Sequence, residues 1–435
     1  MALTATDVDR TAIGAEIYER IRRMYPICRS ITGNGVRDTL ALISADIDLK
    51  ISEVPTGTKV LDWTVPKEWN IRDAYIRNSK GERVVDFRRS NLHVLNYSAP
   101  VDRRMSLGEL QPHLFSLPKF PDWIPYKTSY YRETWGFCLS HRDLERLTEQ
   151  EYEVFIDSTL ADGHLTFGEC VIRGSSQDEV LFSCHVCHPS LCNDNLSGIS
   201  IATTLARLIA QEKRRYTYRF LFAPGTIGAI VWLALNEQRA QRIKHGLVLA
   251  CLGDRGGMSY KKSRKGIADI DRAVAIVLRD DADQFEISEF SPYGYDERQY
   301  CSPGFDLPVG RLSRTPHGCF PEYHTSADNL EFVDADSLAD SLMKCLAVVE
   351  VLEGDGRYVN KLPKGEPQLG RRGLYSDMGG YADAREREEA LLWVLNMSDG
   401  NNSLLDIAER SRLRFTAIRG AATSLAAHDL IDQAL

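Results

Sequence analysis

No apolar run in the 435 residues approaches the ~20 needed to cross a bilayer, so the chain does not read as a membrane protein. Residues 1–10 are polar, carry two aspartates and lack the apolar stretch of a secretory leader. There is no basic excess either. With 53 Lys and Arg against 61 Asp and Glu, the net charge is −8, which argues against a nucleic-acid-binding surface. Internal repeats and low-complexity tracts are absent. Ten cysteines are scattered without an export signal, which favours reduced thiols over a disulfide framework. These exclusions together predict a cytoplasmic protein.

What is present is ordinary globular material, 43% hydrophobic and 26% charged. The length predicts two to three domains. Ile13, Ile17, Ile21 and Met24 form one stripe of a helix, and residues 36–47 read as a second helix after the Gly33-Asn34-Gly35 break. Short alternating runs punctuated by Pro55, Gly57, Pro66 and Gly81 predict a β-rich domain over 49–122. From Tyr152 strands and helices alternate: 152–158 and 165–172 as a pair of strands, then a strand at 179–184, a helix at 195–211, a strand at 218–223, a helix at 227–238 and a strand at 246–252. Such alternation predicts an α/β fold with a mostly parallel sheet covered on both faces.

The expected organisation is therefore an α/β domain from 1–48 and 123–352, the β-rich domain between them, a Gly-, Pro- and Arg-rich linker at 353–383, and a helical module at 384–435. Its three helices, at 385–396, 404–411 and 415–428 with Ser403 as an N-cap, resemble a winged-helix module. This region holds six Arg and eight Asp or Glu, so a packing or protein-contact role is expected rather than DNA reading.

Ser183 to Gly198 is the richest segment in chemistry. His185 is within one residue of the end of a buried strand and a helix opens after Asp194-Asn195, and α/β proteins place their sites at such junctions. His185 and Asp194 are suitable ligands for a first-row metal. Two bland readings compete: Asp194 and Ser197 as helix caps, and Cys184, Cys187, His188 and Cys192 as a structural zinc knuckle. Cys184 should point opposite His185 on the strand, and no second cysteine pair follows at finger spacing. Two further polar, aromatic segments read as loops, 293–304 and 321–328. The second supplies His324, and the first supplies Arg298, which can clamp a carboxylate or staple turns.

Asp194-Asn195-Leu196-Ser197-Gly198 and Tyr323-His324-Thr325 resemble two signatures of the dizinc exopeptidase family that includes bacterial leucyl aminopeptidases. The chain is more similar still to an aminopeptidase-like branch often found in polysaccharide-biosynthesis loci. That branch is marked by His185-Val186-Cys187-His188-Pro189, by Asn193 to Gly198, by Asp296 to Gly304 and by Pro321 to Ser326. The resemblance covers nearly the whole chain, inserted β domain and winged helix included. It implies a zinc-exopeptidase-like sheet and zinc, with His185 as first ligand, Asp194 as the aspartate that bridges two metals in the family and His324 as last ligand; with the departures below, these three are expected to hold one ion.

Three positions depart from the family pattern. Cys187 stands where an aspartate orients the first histidine. A further aspartate ligand is replaced by Ala250, with Asp254 at the strand end as a substitute. Gly225, in Pro224-Gly225-Thr226-Ile227-Gly228, stands where the branch keeps a glutamate, and it can neither take a proton nor bind a metal. A lost general base is worth ~10²–10⁴-fold in rate. Glu322 and Glu297 are the substitute proton carriers nearest by motif. Arg298, Tyr300, Tyr323 and Asp254 are candidate substrate contacts.

Two readings lead: a zinc hydrolase of an amide or aminoacyl-type substrate, small or peptide-like, and a non-hydrolytic descendant that keeps the pocket for binding or different chemistry. A ligand-sensing DNA regulator is the third. A protein partner or a homo-oligomer is compatible with any of them.

Overall fold

Two apolar runs, Glu179–His185 and Thr217–Ala223, are buried at every residue and can only be central strands. The computed structural model, which describes residues 9–375 and 382–434, pairs them in parallel, with His185 opposite Ala223. Ile243–Leu249 lies parallel on the other side of the first, and Val309–Ser313 parallel beyond it. Strands paired antiparallel extend this group, His164–Ile172 and Lys50–Pro55 at one edge and Met258–Lys261 at the other, and Phe285–Ser288 beyond Met258–Lys261 completes the eight-stranded sheet. The result is the expected mixed, mostly parallel α/β architecture.

Helices cover the sheet. In Arg10–Met24 the stripe Ile13, Ile17, Ile21 and Met24 is buried as its spacing requires. Gly198–Ile209 and Ile227–Leu235 are apolar nearly all round, and nearly every residue of both is buried.

A second, four-stranded antiparallel sheet is formed by Arg83–Asp86, Glu68–Arg77, Glu151–Ala161 and Val101–Ser106, in that order. Its core holds Ala74, Ile76, Val85, Val154 and Ile156. Here two expectations are corrected. The strands near 152–158 and 165–172 do not pair with each other; they belong to different sheets. The first buries alternate residues, as suits a one-sided sheet, and the second is buried along most of its length, as suits the central one. Likewise Lys50–Pro55, expected in the inserted region, extends the central sheet, while Glu151–Ala161 joins the small one.

The chain forms two compact units. One comprises residues up to Gly266 with Glu286–Met343, the other Ile267–Phe285 with the residues from Lys344 on. The second unit contains helices Asp269–Asp281, Ala382–Met397, Leu404–Ser411 and Phe415–Ala427. Ser403 does cap its helix, in a reciprocal box with Asp406. A three-stranded antiparallel sheet, Asp399–Ser403, Arg357–Asn360 and Ile431–Gln433, makes this a winged helix. Arg357–Asn360 is thus a strand within the stretch expected to be linker; residues 376–381 of that stretch lie outside the described residues. Helix Asp269–Asp281, expected in the α/β domain, belongs to this unit, where Arg272 pairs with Asp406 and Glu409. Among the described residues no helix is long and apolar enough to cross a membrane.

Candidate metal centre

Asn193, Asp194, Asn195 and Ser197 occupy the irregular turn before helix Gly198–Ile209, and all four are buried. Three of them fasten the turn to the chain leaving strand Ile243–Leu249. Asn193 accepts from Gly253 N–H at 2.7 Å, Asn195 donates to the Leu249 carbonyl at 2.9 Å, and Ser197 Oγ accepts from Leu252 N–H at 3.0 Å. Asp328 adds a second clamp, accepting from the N–H groups of Asn193 (2.6 Å) and Asp194 (3.0 Å). With its neighbours so engaged, the buried side chain of Asp194 is directed to the end of strand Glu179–His185.

There it meets three imidazoles. His185 Nε2 lies 2.7 Å from Asp194 Oδ1; His324 Nε2 and His188 Nδ1 lie 3.0 and 3.3 Å from Oδ2. The Tyr295 hydroxyl donates to Oδ1 at 3.1 Å, and its ring stacks on His185 at 4.7 Å. Tyr126 presents its edge to His188 and His324 at 5.1 and 5.0 Å, fixing both rings. His324 has a left-handed backbone (φ 57°), held by Tyr126 N–H donating to its carbonyl at 2.7 Å. The capping reading of Asp194 is thereby excluded, because its carboxylate serves imidazoles and a phenol rather than helix N–H groups.

Burial alone would raise the Asp194 pKa; the charges and hydrogen bonds of His188 and His185 outweigh it and hold the carboxyl well below the ordinary range. Burial pushes His324 down, against the pull of Asp194. The centre thus presents an ionised carboxylate among imidazoles, a nitrogen and oxygen donor set that suits zinc and its neighbours in the first transition row. Ligand atoms of His185, His188 and Asp194 lie within 4.8 Å of one another, and His324 reaches the second carboxylate oxygen. Bonds of ~2.0–2.1 Å in a tetrahedron set ligands about 3.3 Å apart, so the carboxylate–imidazole spacings of 2.7, 3.0 and 3.3 Å need to open by at most about 0.6 Å. The residues fit a metal ion.

The zinc-knuckle reading does not survive. Cys184, Cys187 and Cys192 are separate, buried free thiols whose pKa values burial pushes up, and Cys187 Sγ faces the Gly225 carbonyl at 3.8 Å. Ala250 is part of the buried framework. Asp254, a candidate ligand and substrate contact, is used up internally by Thr315, Gly256 and Asn193. Tyr300 is buried with its hydroxyl 2.8 Å from Ser183 Oγ, so it braces the strand. Arg298 is exposed. Tyr323 stacks on His324 at 3.9 Å and lines the cleft beside the centre.

Neither expected substitute acid faces that cleft. Glu297 is fully buried in an ion pair with Lys261. Glu322 gives its carbonyl to Thr325, and among the described residues its side chain is not part of the lining. Two groups that were not among the expected catalytic, ligand or substrate residues of this centre are there instead, His188 and Asp296. His188 had a signal, three residues after His185 across a proline-bounded turn. Asp296 had its place at the head of the Asp296 to Gly304 motif in a polar loop.

Gly225 is demanded by close approach as well as lacking a base. A Cβ there would sit 2.9 Å from His185 Cβ and 3.5 Å from Asp296 Oδ1. Gly225→Ala is expected to push His185 aside, destabilising the protein by about 1–3 kcal/mol and weakening metal binding ~10-fold or more. Competition with a chelating dye and a thermal melt measure the two effects.

Residues 18–355 match the sequence model of a family described as a domain of unknown function, DUF4910, and residues 356–433 match a winged helix-turn-helix model. A Clostridium acetobutylicum protein provisionally described as a polysaccharide biosynthesis protein with an aminopeptidase-like domain is 53% identical over 412 residues, 95% of each chain. The chain belongs to this aminopeptidase-like DUF4910 family. A crystal structure of a provisionally assigned peptidase from the same organism superposes with a TM-score of 0.93 at 50% identity, over 98% of this chain and 97% of that one. The fold of the DUF4910 family is that of zinc aminopeptidases: the Bacillus subtilis enzyme BSAP aligns with a TM-score of 0.56 at 14% identity, over 78% of this chain and 94% of its own.

Proposed function

We propose that the protein is a zinc-dependent hydrolase of a small amide or aminoacyl-type substrate, with the metal held by His185, Asp194 and His324. The convergence of three imidazoles on one buried, ionised aspartate carries this reading. Zinc in that set supplies Lewis-acid polarisation of a carbonyl and activation of water near neutral pH.

The proton carrier in this reading is His188. Its Nδ1 lies 3.2 Å from the Asp194 carbonyl, which can only accept, so Nδ1 is the donor there and Nε2 is the ring atom left to exchange a proton. His188 lines the cleft, so Nε2 is placed to take a proton from water as it adds to the carbonyl carbon and to return it to the departing nitrogen. An amide and water then yield a carboxylate and an ammonium. The relative's printed description suggests a substrate from polysaccharide assembly.

The test pairs metal analysis with turnover on a panel of aminoacyl-anilides. Stoichiometric zinc and turnover abolished by chelator are expected; His188→Gln should keep its metal and lose about 10²–10⁴-fold in rate. Stoichiometric metal with no turnover would instead support a ligand-binding descendant, the reading that Gly225 favours.

A further inference from the structure

Two buried cations on adjacent strands have one carboxylate between them. Lys261 and Arg311 lie directly opposite each other where strand Met258–Lys261 pairs with Val309–Ser313, so both side chains leave the same face of the sheet. Lys261 takes the buried Glu297 as its counterion and donates to the Tyr293 carbonyl at 2.8 Å. Arg311 is 4% exposed, and among the described residues no carboxylate pairs with it. Asp296 does not, since neither of its oxygens has a hydrogen-bond partner. A buried cation is costly unless an anion meets it, and Arg311 is left one charge short.

The side-chain partner it does have is a ring of the cleft wall. Arg311 Nη1 donates to His317 Nδ1 at 2.7 Å, while its Nε has no partner. A guanidinium only donates, so Nδ1 must accept and the ring's proton is fixed on Nε2. Tyr295 meets the His317 ring edge to face at 4.9 Å and stacks on His185 at 4.7 Å, so His317 stands one ring's width from the metal centre. His317 is part of the lining of the cavity of about 170 Å³ that also takes in His185 and His188. Burial and the Arg311 charge push its pKa down to about 4, so at neutral pH the ring is uncharged and Arg311 carries the charge behind it.

We infer that His317, backed by Arg311, is the donor for an anionic group of the ligand, a carboxylate or a phosphate, so that the cleft selects acidic small molecules. This rests on the cleft being the ligand site, as in the proposed function, and does not require that the ligand be cleaved. The anion accepts the Nε2–H bond and supplies the countercharge that the packing denies Arg311. Arg311 acts through the ring, fixing which nitrogen carries the proton.

Calorimetry on the protein as purified, with its metal content measured, tests this on two matched pairs. Glutamic acid α-amide against glutaminamide probes a carboxylate, and O-phosphoserinamide against serinamide probes a phosphate. In at least one pair the acid is expected to bind at least about tenfold more tightly than its uncharged counterpart. The preference should survive removal of the metal by chelator, which needs no variant. His317→Phe keeps a ring and removes the N–H; it should abolish the preference while the uncharged ligands keep their affinity, a split that a merely structural loss does not produce. Equal affinity within both pairs, no binding of either acid, a preference lost with the metal, or one that persists in His317→Phe overturns the inference. Acid preference without turnover keeps this inference and loses the hydrolase reading; turnover without acid preference does the reverse.

Discussion

Asp194→Ala is expected to emerge from purification without metal, its affinity down by more than ~100-fold, and without turnover on any substrate the wild type cleaves. Supporting residues one layer out already cost ~10–100-fold in metal affinity when removed, and Asp194 touches every imidazole of the centre. It is also the only carboxylate in the cluster, so its loss leaves neutral nitrogens that hold a divalent ion more weakly. Asp194→Asn separates charge from shape: the amide fills the space but offers one oxygen where the carboxylate offers two. Zinc content by elemental analysis reads both variants. Full metal in Asp194→Ala would remove the basis of the proposed function.

Arg219→Ala is expected to destabilise the protein by about 3–5 kcal/mol, seen as a lower urea midpoint. Arg219 is 3% exposed and lies between two buried carboxylates. It holds Glu179 with two nitrogens, at 2.7 and 3.0 Å, and Glu169 with a third at 2.7 Å. Trp232 Nε1 adds a 2.7 Å bond to Glu169. Removing the guanidinium strands two acids inside the sheet. The sign of the lesson reverses when all charges go together, since replacing a whole buried network by packed apolar side chains is often neutral or stabilising. A triple variant, Glu169→Met, Glu179→Met and Arg219→Met, should therefore be more stable than Arg219→Ala. The network joins three neighbouring strands, His164–Ile172, Thr217–Ala223 and Glu179–His185, so it fixes their register by pairing charge with charge.

Much of the centre was legible in the chain because its parts are local. His185 ends an apolar run that can only be a buried strand, and Asp194 stands in a turn of short polar residues opening a helix. Each is marked by a break between two periodicities. His324 was legible only through resemblance, since one histidine in a polar loop has no local sign of its partner 130 residues away. The boundary errors have one source. A strand's face pattern shows whether it is buried on one side or two, yet not which sheet supplies its neighbours, and the two residues between these strands, 162–163, pass the chain from one sheet to the other.

The same limit applies to chemistry. Glu297 and Glu322 were attractive as acids in motif-rich loops, but one is neutralised by Lys261, which lies 36 residues before it, and the other lies off the cleft. Asp254 was attractive as a polar residue at a strand end and Tyr300 as an aromatic in a polar loop, and both turned inward.

By itself, then, the sequence determined the α/β alternation, the turn that presents Asp194 and the absence of a side chain at position 225, because each is written within a few consecutive residues. Only the tertiary structure decided which histidines share the aspartate, that His188 is among them, and that Asp296 is left without a partner on the cleft wall. Those are facts of distance between remote segments, and whether a carboxylate is ligand, ion pair or orphan depends on which side chains the packing brings within about 3 Å of it.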